Sequence, residues 1–361
     1  MWDYFKSWWT LRWTQQPQFH PLPPNITRSF VKTPAGDIEL LTSEPTQRDP
    51  SAAPIFFMHG GNGHASVWLE WMTHLSQTHG ARTYAFSLRN HGASFPVPYF
   101  RMVWLTRFDD LASDLISSME EIVSREGQEP LVVAHSSGGG LAQYALSRGS
   151  IKCRALALVG AVPHFGNVHV YHNWFTRIDR WFIIRNFAHG CHPNSGLNND
   201  KLVLNAFFGQ EYPMEKVKEF RKWMANYECM WWPYSMGGRG WGVKDRVWLS
   251  PVDIVESVVH WNGTEDKIMV MIGKEDLMMG GTERRMVTDF QQAIKTLQEG
   301  KKIDVPVELE KKIVEKTDRY ITEERQGGVR LVEVANAGHH TQNDVQWREA
   351  CEALRRFAAQ V

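Results

Sequence analysis

The sequence predicts an α/β fold, in which a mainly parallel β-sheet is covered by helices on both faces. Short apolar runs of strand type alternate with helical stretches over most of the 361 residues, an alternation typical of parallel sheets. One run, at residues 131–134, leads through His-Ser-Ser-Gly-Gly-Gly into a helical stretch. That order is the pattern of a sharp strand-to-helix turn in such a sheet.

The elements before this turn follow an aromatic N-terminal arm and a Pro-rich linker, residues 1–25. Two strand-like runs at 26–31 and 38–42 flank a hairpin turn, and apolar strands follow at 54–58 and 83–87. Apolar residues at helical spacing then predict a helix after each of these two apolar strands.

The elements after the turn begin with an apolar strand at 154–162, and the strand–helix rhythm then breaks for a long stretch. The elements that resume it are a strand, a helix, a strand and a final helix, at residues 267–272, 283–297, 329–334 and 347–361. The sequence therefore predicts one core, residues 26–162 and 267–361, interrupted by an inserted helical cap, residues 163–266.

Charge and cysteine content argue against several classes of function. Lysine plus arginine and aspartate plus glutamate balance at 40 each, so no net field attracts nucleic acid. The four cysteines have no CxxC spacing, so neither a zinc site nor a disulfide framework is expected. Because no signal peptide or spanning apolar stretch is recognisable, we expect a cytoplasmic protein.

The N-terminal arm is unusually aromatic, and Trp2, Phe5, Trp9 and Trp13 fall near one helical face. Tryptophan favours the membrane interface, so peripheral membrane contact is one interpretation. Because the arm carries only two basic side chains, we favour the alternative that it docks on its own cap or on another subunit, as in a homodimer.

Ser136 is the predicted nucleophile of the strand-to-helix turn. The strand and the helix pass close together at such an elbow, so the residues two places either side of the serine have to be small. Ala134 and Gly138 meet that requirement. Centring the elbow on Ser137 would put His135 where bulk is not tolerated, so Ser136 is preferred.

Two further side chains are predicted to activate Ser136, because a serine hydroxyl needs a base and the base needs an acid that orients it. In this arrangement both partners come later in the chain, each just after a sheet strand. Asp276 and His339 follow the last two predicted strands in that order. Their neighbours Glu275 and His340 are the rival candidates.

An oxyanion hole made of two backbone N–H groups is also expected, aimed at the negative charge that develops on the substrate oxygen. One donor is the N–H of Ser137, the residue after the nucleophile. The other is expected from the glycine-rich loop at 59–63. We predict Gly61, because a backbone that faces the substrate gains from having no side chain.

These segments make the chain resemble the α/β-hydrolase superfamily in its capped, single-domain form. The likeness rests on residues 57–61 with Trp68, on the Arg-x-His-Gly segment within 87–94, on the elbow, and on the turns that carry Asp276 and His339. The resemblance implies an eight-strand-type sheet, a cap between the sixth and seventh strands, and a Ser-His-Asp triad.

The chain departs from the family pattern in several places. Ser87 replaces a common acid, Asn90 replaces a common glycine, and a serine nucleophile argues against epoxide hydrolases and haloalkane dehalogenases. The interval from Asp276 to His339 is longer than usual, and the excess lies at residues 299–326. This charged insertion, rich in Lys and Glu, is expected to be a solvated helical excursion or an oligomer contact.

The cap is rich in aromatic residues and holds eight of the chain's sixteen tryptophans. An apolar lid over the serine indicates a bulky hydrophobic substrate that loses its water on binding. The tryptophans predicted to contact it are Trp174, Trp231, Trp232 and Trp241. Many of the other rings are expected to form the cap's own core.

The leading hypothesis is a serine hydrolase that cleaves a hydrophobic ester, thioester or lactone through an acyl-enzyme on Ser136. The expected partner is a small hydrophobic acyl substrate, and neither a metal nor a cofactor is implied. One alternative keeps the fold but forms or cleaves C–C bonds, cyclises its substrate or transfers acyl groups in specialised metabolism. Another is a catalytically silent protein that binds a hydrophobic ligand.

Overall fold

The computed structural model describes residues 9, 11, 19–237, 248–261, 266–303 and 312–361. Trp241 and most of the N-terminal arm, including Trp2, Phe5 and Trp13, lie outside the described residues.

The described strands form a single sheet of ten. In chain order they are β1 (Ile26–Thr33), β2 (Gly36–Ser43), β3 (Ile55–Met58), β4 (Thr83–Phe86), β5 (Leu131–His135), β6 (Ala155–Val159), β7 (Ile268–Gly273), β8 (Ile313–Lys316), β9 (Ile321–Gln326) and β10 (Val329–Val334). Their order across the sheet is β1-β2-β4-β3-β5-β6-β7-β10-β9-β8. All pairings from β4 through β10 in this order are parallel, and those at the two edges are antiparallel. The mainly parallel sheet of the predicted α/β fold is thus confirmed.

Helices connect these strands. In chain order the α-helices are α1 (Leu69–Thr78), α2 (Phe108–Glu126), α3 (Ser136–Ser147), α4 (Val168–Asn173), α5 (Phe182–Ala188), α6 (Asp200–Phe207), α7 (Met214–Trp223), α8 (Trp231–Ser235), α9 (Pro251–Glu256), α10 (Glu283–Glu299) and α11 (Trp347–Ala358). Short segments of 3₁₀ helix (65–68, 193–197) and π helix (101–105, 174–178) add to them. Within the described ranges, none of these helices has the length and apolar character needed to cross a bilayer.

Side chains of the central strands alternate between the two faces of the sheet. Phe56 and Met58 join the core formed with α2, α3 and α10, whereas Ile55 and Phe57 join the core formed with α1 and α11. All four are completely buried. Because both faces are covered by helices, the strand is a continuous apolar run rather than an alternating one.

The segment between β6 and β7, which we call the insert (163–266), leaves the sheet and forms α4 to α9. Its last helix, α9, contacts α3 and α10, and Val258 just beyond forms a β-bridge with Cys153. The end of the insert therefore packs on the core, whereas α4 and α8 contribute to the pocket described below.

In the described part of the charged insertion, residues 299–303 and 312–326, the chain beyond α10 forms strands, so the predicted helical excursion was wrong there, and the oligomer contact stays a prediction. Beyond α10, its described part contains β8 and β9, a hairpin that pairs with β10 and extends the eight-strand-type sheet to ten strands. Glu323 of β9 is 4% exposed and forms ion pairs with Arg330 and Arg356. The hairpin therefore buries one of its charged residues, Glu323, against the sheet, while β8 is exposed.

Candidate active site

Ser136 lies at the sharp turn between β5 and α3. Its φ is +54°, in the left-handed region that residues with a side chain rarely adopt. The Ser136 carbonyl accepts a hydrogen bond from the Val162 N–H at 2.9 Å, which ties the turn to the segment after β6. Ser136 is 9% exposed and faces a pocket. Strained backbone of this kind is concentrated at functional sites, and the elbow pattern requires it.

Small residues are necessary around this turn. A Cβ on Gly138 would lie 2.1 Å from the His59 carbonyl oxygen, and one on Gly60 would lie 2.6 Å from the Ser136 Cβ. Ala134 is completely buried in β5. The structure thus places the small residues of the elbow where larger ones would clash.

Gly138→Ala is expected to lower the free energy of unfolding by about 1 to 3 kcal/mol, because the new methyl group would press on the His59 backbone carbonyl. Urea unfolding followed by circular dichroism measures the change. Gly300→Ala is the matched control, since a Cβ there would meet its nearest atoms at 3.4 and 3.6 Å. Equal stability of the two variants would contradict the proposed crowding.

Asp276 and His339 form a hydrogen-bonded pair beyond the ends of β7 and β10. His339 Nδ1–H donates to Asp276 Oδ2 at 2.8 Å, and both side chains are buried. The other oxygen, Asp276 Oδ1, accepts hydrogen bonds from the N–H groups of Met278 and Met279, each at 2.8 Å. His339 Nε2 is buried and has no hydrogen-bond partner in the part of the chain that the structure describes. This nitrogen is therefore the one available to act as a base.

The two rival residues have other contacts. Glu275 Oε2 accepts a hydrogen bond from the Gln210 N–H at 2.7 Å, so its carboxylate anchors the insert. The His340 ring pairs through Nδ1 with Asn343 at 3.2 Å. Burial, aided by the charge of His339, lowers the pKa of His340 to about 3. The structure therefore favours Asp276 and His339 over their neighbours.

His135 lies directly before Ser136, and its sequence position predicted only that its bulk excludes Ser137 as the elbow serine. Its Nε2–H donates to the His339 carbonyl oxygen at 3.1 Å, and the two rings lie 4.6 Å apart. Burial, together with the charges of His340 and His339, holds the pKa of His135 well below its usual value. A neutral ring in this position fixes the backbone of His339. A histidine at the end of an apolar strand was the sequence signal for this role.

The predicted oxyanion donors lie next to each other, but one is already engaged. The Gly61 N–H donates a hydrogen bond to Ser137 Oγ at 2.7 Å. Gly61, Ser137 and the nucleophile line the same pocket. The Ser137 hydroxyl thus occupies the N–H group that was predicted to bind the substrate oxygen.

Ser137→Ala is expected to raise kcat/KM for an activated ester by about two- to ten-fold. The substrate oxygen no longer has to displace the Ser137 hydroxyl from the Gly61 N–H, a hydrogen bond worth roughly 0.5 to 1.5 kcal/mol. Initial rates over a range of substrate concentrations test this. A large fall in kcat would instead show that the hydroxyl donates to the oxyanion.

A buried carboxylate of the insert also contacts the loop that carries Gly61. Glu228 Oε2 accepts a hydrogen bond from the Asn62 N–H at 2.8 Å and lies 3.0 Å from His91 Nε2. Burial lowers the pKa of His91, but the charge and hydrogen bond of Glu228 outweigh that effect and raise the pKa above its usual value. The charge of Glu228 thus favours the protonated form of His91 beside the predicted oxyanion donors. The sequence offered no signal for this contact.

The pocket around the nucleophile is lined mainly by apolar side chains. Trp174 and Trp232 line it, so their contact with substrate stays a prediction, and Trp241 lies outside the described residues. The prediction for Trp231 needs correction, because this residue is 40% exposed and donates from Nε1 to the Trp104 carbonyl at 2.6 Å. Adjacent residues on a helix point in different directions. The other apolar lining residues are Val162, Val170, Leu197, Phe207, Met236, Met278 and Met279.

Among the residues that the structure describes, no group of three or more His, Cys, Asp or Glu side chains is arranged to hold a metal ion.

Comparison with known proteins identifies a matching family and several structures with a similar fold. The sequence profile of the alpha/beta hydrolase family matches residues 55–354. A thermophilic esterase structure is 18% identical with a TM-score of 0.55, covering 92% of this chain and 98% of its own. The 2-hydroxy-6-oxo-6-phenylhexa-2,4-dienoate hydrolase of Rhodococcus sp. strain RHA1 is 14% identical with a TM-score of 0.58, covering 93% and 99%. A soluble variant of monoglyceride lipase from Saccharomyces cerevisiae is 13% identical with a TM-score of 0.57, covering 97% and 98%. At these identities the structures show a shared fold.

Proposed function

Because this chain belongs to the alpha/beta hydrolase family, we propose that it is a serine hydrolase that cleaves a hydrophobic ester, thioester or lactone. The observation that carries the proposal is the hydrogen-bonded pair of His339 and Asp276, with His339 Nε2 left available. The parallel strands β5, β7 and β10 bring this pair to the same sheet edge as the strained Ser136. Active sites of open α/β sheets form at that edge.

The geometry supports an acyl-enzyme mechanism. His339 Nε2 takes the proton of the Ser136 hydroxyl as Oγ attacks the carbonyl carbon, and Asp276 stabilises the imidazolium that results. The N–H groups of Gly61 and Ser137 hold the oxyanion. The leaving group departs with the proton from His339. Water activated by His339 then releases the acid and restores Ser136.

The proposed substrate class follows from the pocket. Leu197, Met278 and Met279 face the nucleophile together with aromatic rings of the insert. Methionine side chains adapt to irregular apolar groups, and a mainly apolar lining gains by removing an acyl chain from water. We therefore infer a hydrophobic acyl group, held by the insert, as the part of the substrate that determines specificity.

A series of p-nitrophenyl esters of increasing chain length tests this function. The value of kcat/KM is expected to rise by about four-fold for each added methylene until the pocket is full, since burying a CH₂ is worth about 0.8 kcal/mol. A fluorophosphonate is expected to add to the protein with one-to-one stoichiometry. If the protein shows no turnover and no labelling, the result would favour the silent ligand-binding alternative. A product that takes no oxygen from labelled water would favour the non-hydrolytic one.

A further inference from the structure

The insert exposes an unusual amount of apolar surface around α5. Five large side chains between residues 175 and 187, which we call the insert patch, are between 42% and 71% exposed: Phe175, Trp181, Ile183, Ile184 and Phe187. Soluble monomers rarely leave so many neighbouring apolar groups in water. Single exposed residues need no explanation, but a group of this kind on one short segment does.

Helix α5 has the reverse of the usual surface arrangement. Its only buried side chain is that of Arg185, which forms an ion pair with Asp179 and donates from Nε to the Ser195 carbonyl at 3.3 Å. A surface helix normally turns its apolar residues inward and its charges outward. Here Ile183 and Ile184 face outward, so an apolar phase outside the protein would be needed to cover them.

Within residues 164–199, the stretch that carries the insert patch, the exposed Arg, Lys, Asp and Glu side chains are all basic. Arg177 and Arg180 are exposed there, whereas the one acid of this stretch, Asp179, is buried. Basic side chains beside an apolar face favour an anionic lipid surface, because negatively charged headgroups attract them.

Trp9 of the N-terminal arm contacts the insert patch. The rings of Trp9 and Trp181 have centroids 6.5 Å apart, and the Trp9 carbonyl accepts a hydrogen bond from His189 Nε2 at 3.0 Å. Tryptophan is enriched at membrane–water interfaces, where one part of the ring is apolar and its N–H remains hydrated. Trp9 therefore adds to the insert patch a residue suited to a lipid surface.

The insert patch and the pocket also lie on one continuous stretch of chain. Val170, Tyr171 and Trp174 line the pocket, and the next residue, Phe175, begins the insert patch. A lipid surface in contact with the insert patch would thus lie close to the pocket wall.

From these contacts we propose that the insert patch docks the protein on an anionic lipid surface. Docking extends the proposed function, since it would bring apolar substrate to the pocket, but it does not depend on that function. A vesicle assay reports on docking alone, and hydrolysis of a water-soluble ester reports on catalysis alone.

Flotation of the full chain with vesicles tests the proposal. The wild type is expected to float with vesicles of phosphatidylcholine and phosphatidylglycerol, and less with phosphatidylcholine alone. The double variant Ile184→Ser/Phe187→Ser is expected to lose about ten-fold or more of the bound fraction, because it removes two large exposed apolar side chains. The matched control is Val314→Ser/Val345→Ser, at sites 57% and 49% exposed elsewhere on the surface, and it is expected to float like the wild type.

Both double variants are expected to keep the thermal midpoint and the turnover of a short soluble ester, because they change only exposed residues. Flotation of the insert-patch variant at the wild-type level would overturn the proposal, as would a wild type that binds neither vesicle. The proposal would also be overturned if the wild type were a dimer that the insert-patch variant converts to monomer, because a second copy of the chain would then cover the insert patch. If neither the wild type nor either variant hydrolyses the ester while the wild type still floats with vesicles, the result would count against the proposed function only.

Discussion

Ser136→Ala is expected to reduce kcat for a p-nitrophenyl ester by about a million-fold, the scale of loss when a Ser-His-Asp set is deprived of its nucleophile. The residual rate would come from the oxyanion donors and from binding, which the change leaves in place. KM is expected to change little, because alanine removes one hydroxyl from a pocket with mainly apolar walls. Steady-state kinetics measures both constants, and fluorophosphonate labelling is expected to disappear with the activity.

Ser147→Ala is a matched control for this experiment, at the other end of α3. The Ser147 hydroxyl donates to the Tyr144 carbonyl at 2.9 Å, and Ser147 is not among the residues that line the pocket. Its kcat is expected to stay within two-fold of the wild type, on the scale expected of a surface change. Turnover or labelling of Ser136→Ala near the wild-type level would mean that another group carries the chemistry.

The central strands could be predicted from the sequence because they are apolar on both faces. Every residue of β3 and β5 is buried, and all are apolar except His135 at the end of β5, so both strands have clear ends in the sequence. The end of β6 was less predictable, since the apolar run continues to Val162 while the strand stops at Val159. The chain turns at Gly160, where φ is +47° and a Cβ would meet His339 Nδ1 at 3.1 Å. This boundary depends on a residue that is distant in the sequence.

The hairpin of β8 and β9 could not be predicted for a different reason. All four residues of β8 are exposed, so no alternation of buried and exposed positions marks it as a strand. Only pairing with β9, and of β9 with β10, makes it one. A Lys- and Glu-rich composition is also common in solvated helices, which explains the wrong prediction.

The candidate site contains both residues that a local sequence pattern predicts and a contact between residues far apart in the sequence. Ser136, Asp276 and His339 lie one, three and five residues beyond the ends of β5, β7 and β10, so their positions could be predicted from local pattern and chain order. The contact of Glu228 with Asn62 joins residues 166 positions apart, across the break in the strand–helix rhythm. No local pattern predicts a contact of that kind, and it emerges only when the insert packs on the core.

Asp276→Asn is expected to reduce kcat by about ten-thousand-fold, the scale of loss when the carboxylate that orients the base is replaced by an amide. Two N–H groups, those of Met278 and Met279, donate to Asp276 Oδ1 at 2.8 Å. The asparagine oxygen has to stay with these donors, so its NH₂ group faces His339 Nδ1. His339 Nδ1 then becomes the acceptor and Nε2 carries the proton, which prevents it from taking the proton of Ser136.

Nitrogen-15 NMR of labelled His339 would show this exchange of tautomers directly, and steady-state kinetics would measure the loss of kcat. Glu275→Gln is the matched control, because the glutamine oxygen can still accept the hydrogen bond that Glu275 Oε2 accepts from the Gln210 N–H. This control is expected to keep kcat within a few-fold of the wild type, on the scale of a surface substitution. An Asp276→Asn enzyme within ten-fold of the wild type, or an equal loss in Glu275→Gln, would remove Asp276 from the role of orienting acid.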